Sequence, residues 1–115
     1  MGLVSLSPAQ QNTKEVADTA VVLAGGAAYT GSSVSTFGFY TITGYAFSDQ
    51  ASAANGFSIE QSADGTNWDV KDQSSVAAST EKPISIPVAA PFVRVVYTNG
   101  GTLQGSFRLH VALRR

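Results

Sequence analysis

The chain has 115 residues, of which 43% are hydrophobic and only 13% charged, with a formal net charge of −1 and no cysteine. An average soluble domain carries roughly 25% charged residues, so Ser, Thr, Asn, Gln and Gly must cover much of this surface. The length suits one domain able to bury a core without staples, and the lack of cysteine excludes disulfides and thiolate metal sites. No Lys/Arg cluster is present to neutralise phosphates, so neither nucleic acid nor an anionic membrane is an expected partner. No apolar run nears the roughly 20 residues of a membrane span, and the N-terminus lacks the basic start and apolar core of a secretory signal. Synthesis and folding in a cytosol are expected.

Residues 1–20, MGLVSLSPAQQNTKEVADTA, differ from the rest. Ser7-Pro8-Ala9-Gln10 opens like a capping box, but no apolar helical repeat follows, so at most one helical turn is expected. The segment, ahead of a sandwich domain over 21–115, reads either as a loosely ordered terminus or as an extended N-terminal arm, with Leu3, Val4 and Leu6 placed to dock on a neighbouring subunit.

From Val16 onward the apolar period is two. Strands are expected at Val21 to Leu23, Thr36 to Phe47, Gly56 to Ser62, Asn67 to Lys71, Pro83 to Val88, Phe92 to Thr98 and Gly105 to Leu113, seven or eight in all. Thr36 to Phe47 sets Phe37, Phe39, Thr41, Thr43, Tyr45 and Phe47 on one face and Tyr40 and Ile42 on the other. Ala63-Asp64-Gly65-Thr66-Asn67 is a hairpin signal, since Gly tolerates positive φ, and Ala54-Asn55-Gly56 and Asn99-Gly100-Gly101 read as further turns. Pro83, Pro87 and Pro91 each remove a ladder donor and confine their segment to an edge or loop. Arg94 and Arg108 are placed on neighbouring strands, bridged by a carboxylate such as Glu60 or Asp69. These features predict an all-β antiparallel sandwich, jelly-roll-like. Its expected core holds Phe39, Tyr45, Phe57, Ile59, Trp68, Val93, Val95, Phe107, Leu109 and Val111.

No formal charge falls between Asp18 and Asp49, a stretch holding Tyr29, Phe37, Phe39, Tyr40, Tyr45 and Phe47. Such a stretch is core or interface. The expected interface residues are Leu3, Val4, Leu6, Tyr29, Phe37 and Tyr40.

The run SDQASAANGFSIEQSADGTNWDV from Ser48 to Val70, followed by PFVRVVYTNGGTLQGSFRLHVAL from Pro91 to Leu113, resembles small β-sandwich proteins and modules of tailed-bacteriophage virions. Similar Ser-x-Asp-Gly-x-x-Trp and Val-Arg-Val strands occur in discoidin-like jelly rolls, which bind sugars or lipids. The resemblance implies a structural virion protein. One short domain without repeats or a stalk favours a stand-alone accessory protein, such as a head decoration protein.

No catalytic residues, cofactor or metal are expected. His110 is the one histidine, in an alternating strand, and reads as surface or interface, where its titration would make assembly pH-sensitive. Asp64, Asn67, Asp69 and Asp72 offer oxygen ligands suggestive of calcium, but the spacing is not that of an EF-hand and a hairpin turn explains Asp64 and Asn67. Trp68 is a sugar platform if exposed and a core plug if buried; sharing a face with Val70, it is expected to point inward. Nothing pairs Glu60 with Asp69, or Asp49 with Asp64, at a glycosidase separation. The expected function is a capsid decoration protein in the virion. It would bind the major capsid protein or other virion proteins as a homo-oligomer, a trimer by analogy. The alternative is a carbohydrate-binding module of a phage fibre. Clustered exposed rings at a loop end favour sugar, and apolar strips along a side favour assembly.

Overall fold

Two strands with strict alternation decide where the core lies. The computed structural model describes residues 12–115, and in it Val93, Val95 and Tyr97 of β8 (Phe92–Asn99) and Phe107, Leu109, Val111 and Leu113 of β9 (Phe107–Arg114) are all buried. These strands belong to different sheets. One sheet runs β1-β9-β4-β7, built on β1 (Thr13–Thr19), β4 (Thr41–Ser48) and β7 (Lys82–Pro87). The other runs β2-β8-β5-β6, with β2 (Ala28–Thr30), β5 (Ser52–Ser62) and β6 (Val70–Ser74), and β3 (Val34–Ser35) also pairs β8. Every pairing is antiparallel. The chain changes sheet at each connection except β2–β3 and β5–β6, which is the winding of a jelly roll. The Tyr97 ring joins the layers, 4.8 Å from Phe107 in the facing sheet and 6.1 Å from Phe57 beside it.

The faces of β4 are the reverse of the aromatic reading. Ile42, Ala46 and Ser48 are buried, whereas Tyr45 and Phe47 are half-buried on the outer face. The register gives the reason: Ile42, Gly44, Ala46 and Ser48 lie opposite Leu113, Val111, Leu109 and Phe107 of β9. Large side chains from β9 fill the space, so β4 turns its small residues inward. Tyr45, expected in the core, instead lies opposite His110, with the rings 6.5 Å apart. Phe39 is half-buried and packs against the core rather than within it.

Other expectations need correction. Residues 1–11, with Leu3, Val4 and Leu6, lie outside the described residues. Residues 13–19, assigned to the arm, form edge strand β1, because a bulge against β9, which skips Val16 between Glu15 and Ala17, lets both Val16 and Ala17 enter the core. No strand forms at Val21 to Leu23, where Val21 is exposed. Ala54-Asn55-Gly56 is not a turn between strands but an irregularity inside β5, where the pairing with β8 skips from Ser52 to Phe57 and Asn55 takes a φ of 54°. Arg94 and Arg108 are in opposite sheets. The proline reading holds: β7, with Pro83 and Pro87, is an edge strand. So does the hairpin, in which β5 and β6 pair and Gly65 takes a φ of 78°.

Gly44 is required by the approach of β4 to β9. A Cβ there would stand 2.7 Å from Val111 Cα and closer still to the His110 carbonyl oxygen. Gly44→Ala is therefore expected to destabilise the protein by about 1–3 kcal/mol, the usual cost of overpacking. Urea unfolding measures this, and an unchanged midpoint would show that the two strands can separate at no cost.

Candidate interaction surface

The six phenylalanines, four tyrosines and one tryptophan meet different fates. Phe57, Tyr97 and Phe107 form the aromatic core. Three more lie under guanidinium groups: Arg94 Cζ is 4.5 Å from the Trp68 ring, Arg108 Cζ 4.4 Å from Phe47 and Arg115 Cζ 5.1 Å from Phe39. A cation over an aromatic face is attracted by the ring's quadrupole and shields it from water. Tyr29, Tyr45 and Phe92 are half-buried. Phe37 and Tyr40 remain, 90% and 73% exposed.

Trp68 was expected to point inward with Val70. Instead it stacks on Arg94, whose strand neighbours Val93 and Val95 take the inward positions, and Val70 is exposed. Glu60 Oε1 accepts from Arg94 Nε at 2.9 Å and lies 2.8 Å from Nη2, while Ser58 Oγ donates to Oε2 at 3.0 Å. Ser58, Glu60 and Ser62 are buried on the outer side of the sheet. Of the two carboxylates expected to serve an arginine, Glu60 does so.

The turn between β3 and β4 presents Phe37. Thr36 anchors it, donating from its N–H to Pro91 O at 2.8 Å and from Oγ1 to Ala90 O at 2.6 Å. The Phe39 N–H donates to Thr36 O at 3.0 Å, and Gly38 takes a φ of 86° that favours glycine. Tyr40 is held on both sides, its N–H donating to Arg114 O and its carbonyl accepting from Val88 N–H, each at 2.9 Å. Beside this turn is a groove of about 520 Å³ whose apolar lining includes Phe37, Phe39, Val88, Pro91 and Phe92. Gln61, buried, fixes the loop along its side: Oε1 accepts from Ala89 N–H at 2.7 Å and Ala90 N–H at 3.2 Å, and Nε2 donates to Pro87 O at 3.3 Å. Thr36 and Gln61 were missed in the sequence, although Gln61 shares the inward parity of Phe57 and Ile59.

Of the expected interface residues, Phe37 and Tyr40 come together at this end. Tyr29 lies on β2 opposite Tyr97, packs against the core and does not line the groove. His110 is exposed on the outer face of β9. Asp64 and Asn67 form a turn: Asp64 Oδ1 accepts from the N–H groups of Thr66 (2.9 Å) and Asn67 (2.8 Å) and from Ser62 Oγ (3.0 Å), and Oδ2 accepts from Asn67 Nδ2 (2.8 Å). Led by the Asn67 and Thr66 amides, these donors hold the Asp64 carboxyl well below the usual carboxylate range. Among the described residues no group of three or more His, Asp or Glu side chains gathers to hold a metal.

Arg94→Ala leaves the Glu60 carboxylate buried without its partner and uncovers Trp68. A loss of about 2–3 kcal/mol is expected, reduced from the fully buried case by the exposure of Arg94, with a red shift in the fluorescence of the single tryptophan. An unshifted spectrum would show that Trp68 does not depend on the stack. For Asp64, a depressed folded pKa means a stabilising contribution fully present above the unfolded value of about 3.9 and lost as pH falls through the folded one. The urea-midpoint gap between wild type and Asp64→Ala is expected to be widest above pH ~5 and to narrow as pH is lowered below ~4; a gap that widens in acid would contradict the turn chemistry.

A solved structure described as "Crystal structure of PBSX exported protein XepA" has a similar fold, with 20% sequence identity and a TM-score of 0.78 over 97% of this chain and 40% of that one. The chain thus spans 40% of the length of that exported protein. Another, from "Bacillus endospore appendages form a novel family of disulfide-linked pili", is 12% identical with a TM-score of 0.49, covering 99% of this chain and 98% of that one. No curated protein matches the chain. A family model described as "Uncharacterised protein YqxG N-terminal domain" matches residues 6–114, nearly the whole chain, and the protein belongs to that family.

Proposed function

We propose that this chain is a non-enzymatic structural module of a phage-associated assembly and, within that class, a capsid decoration protein that binds neighbouring capsid subunits and stabilises the head. The observation that carries the reading is the pair Phe37 and Tyr40, bare at one end of a sandwich whose other rings are buried, half-buried or covered by arginine. Aromatic residues on a rigid support make good anchors, since burying a Phe side chain is worth about 1.5–3 kcal/mol and a pinned turn loses little entropy on binding. Weak contacts repeated over a lattice, or over a homo-oligomer such as a trimer, add up. The resemblance of the Ser48–Val70 and Pro91–Leu113 runs to virion sandwiches supports the class, and the fold shared with an exported protein supports an extracellular or virion-associated location.

A second reading, a carbohydrate-binding module of a fibre, draws on one observation: the exposed rings sit at a loop end. Among the described residues, the groove beside them has no carboxylate or amide side chain in its lining, and Trp68 is engaged by Arg94. Sugar recognition needs polar groups placed to bind hydroxyls beside the stacking ring, so assembly is preferred.

The test is occupancy on undecorated capsids. Phe37→Ser combined with Tyr40→Ser is expected to leave the melting transition unchanged within about 0.5 kcal/mol, since both residues are exposed, while lowering occupancy at least tenfold, about 1.4 kcal/mol. Wild-type occupancy by the double variant, or retention on a glycan surface by the native protein alone, would overturn the assembly reading.

A further inference from the structure

A second groove lies on the outer face of the β1-β9-β4-β7 sheet. Strand register lines up its side chains: Asp18, His110, Tyr45 and Pro83 make one row across the sheet, and Arg108 stands opposite Phe47 in the next. Glu81, the residue before β7, follows Phe47 in that row, because Ala46 lies opposite Lys82. Here the surface holds a groove of about 520 Å³ lined by Gly44, Tyr45, Glu81, Pro83 and Arg108. Tyr45 is five residues beyond Tyr40, about 17 Å along a strand, so this groove is separate from the Phe37 turn. Its parts are supported from the side: Tyr45 is half-buried with the His110 ring 6.5 Å from its own, and Arg108 Cζ is 4.4 Å from the Phe47 ring. Glu81 and Arg108 are exposed, and among the described residues neither has an ion-pair partner.

The lining holds the groups that a sugar requires. A tyrosine ring offers an apolar face with a polar tip, Arg108 offers only hydrogen-bond donors, and the Glu81 carboxylate only acceptors. Each hydroxyl of a pyranose both donates and accepts, so neighbouring hydroxyls are met from both sides while the C–H face of the sugar ring lies on Tyr45. One guanidinium and one carboxylate cancel in charge, which disfavours an anion and a cation alike. The groove's volume falls within the range of sites that take up a small ligand. A folded partner needs more room: the four strands, none longer than eight residues, outline roughly 500 Å², below the about 800 Å² per partner of a stable protein interface. We propose that this groove binds a neutral pyranose unit of an oligosaccharide, with Tyr45 as the platform, Arg108 as donor and Glu81 as acceptor. The site is additional to the decoration role and uses neither Phe37 nor Tyr40.

The whole chain, isotope-labelled, is titrated with maltohexaose, cellohexaose, chitohexaose and mannohexaose into the millimolar range while backbone amide shifts are followed. At least one of these neutral oligosaccharides is expected to shift the amides of Gly44, Tyr45 and Arg108 saturably, and to do so equally when Phe37→Ser and Tyr40→Ser are both present. Glu81→Ala and Tyr45→Ser are each expected to weaken that binding about tenfold, through loss of one or two hydrogen bonds or of the stacking face. Glu81 is exposed, so its variant tests the site whether or not Tyr45→Ser folds. No saturable shift with any of the four sugars, shifts centred on Phe37 and Tyr40, or unchanged affinity in Glu81→Ala would overturn the proposal. So would the same shifts from sodium acetate, which would make Arg108 a site for any small anion. No capsid is involved, and sugar binding that survives the loss of Phe37 and Tyr40 leaves the assembly reading standing, so the two fail separately.

Discussion

The space between the two sheets admits one layer of interdigitated side chains, since packed sheets stand about 10 Å apart. The rest of the structure follows from how that layer is filled. β9 contributes Phe107, Leu109, Val111 and Leu113, and β8 contributes Val93, Val95 and Tyr97. With those in place, β4 has room only for Ile42, Gly44, Ala46 and Ser48 opposite β9. Its aromatic residues are therefore on the outside. Within its own sheet, Gly44 lies so close to β9 that even a methyl group would meet the β9 backbone.

This explains what was legible and what was not. Alternation of period two gives the parity of a strand, and it gives the inward face as well wherever one face is polar. For β5, β8 and β9 it placed Phe57, Ile59, Val93, Val95, Phe107, Leu109 and Val111 in the core, where they are. Over Thr36 to Phe47 both faces are apolar, so the choice passed to the neighbouring strand, whose register no local pattern contains. β1 was hidden for another reason: a bulge between Glu15 and Ala17 breaks the parity, and the strand looks polar. Trp68 misled because its size suggested the core, when its partner is the Arg94 guanidinium. Of the candidate surface, Phe37 and Tyr40 were visible as rings in an uncharged stretch, but the Thr36 and Gln61 anchors that hold the surface depend on contacts across 54 and 28 residues or so of sequence.

The arginines resolve how so weakly charged a chain covers its aromatic residues. Three of them place the guanidinium carbon 4.4–5.1 Å from a ring centroid, and an arginine so placed can combine apolar contact along the stem with a hydrated head. A lysine in the same place would supply a point charge without the flat stacking surface. Against this treatment of Trp68, Phe47 and Phe39, the uncovered Phe37 and Tyr40 form a contrast that composition alone does not reveal.

The two ends of the sandwich differ in the same sense. At the end near the β8–β9 connection, buried amides close the loops: Asn99 Nδ2 donates to the carbonyls of Leu23, Ala24 and Thr102, and Gln104 bonds Leu23 N–H and Ser48 Oγ. Asp49 accepts from the Gly105 and Ser106 amides just outside. Burial there pushes the Tyr97 hydroxyl up, with the Ser48 hydroxyl opposing. At the other end Gln61 and Thr36 close the loops equally well, so the structure needs no exposed ring to hold them. Phe37, 90% exposed, adds little to folding by burial and leaves apolar surface in water. On the proposed reading this ring is a docking anchor, at the end where β1 begins and β9 finishes.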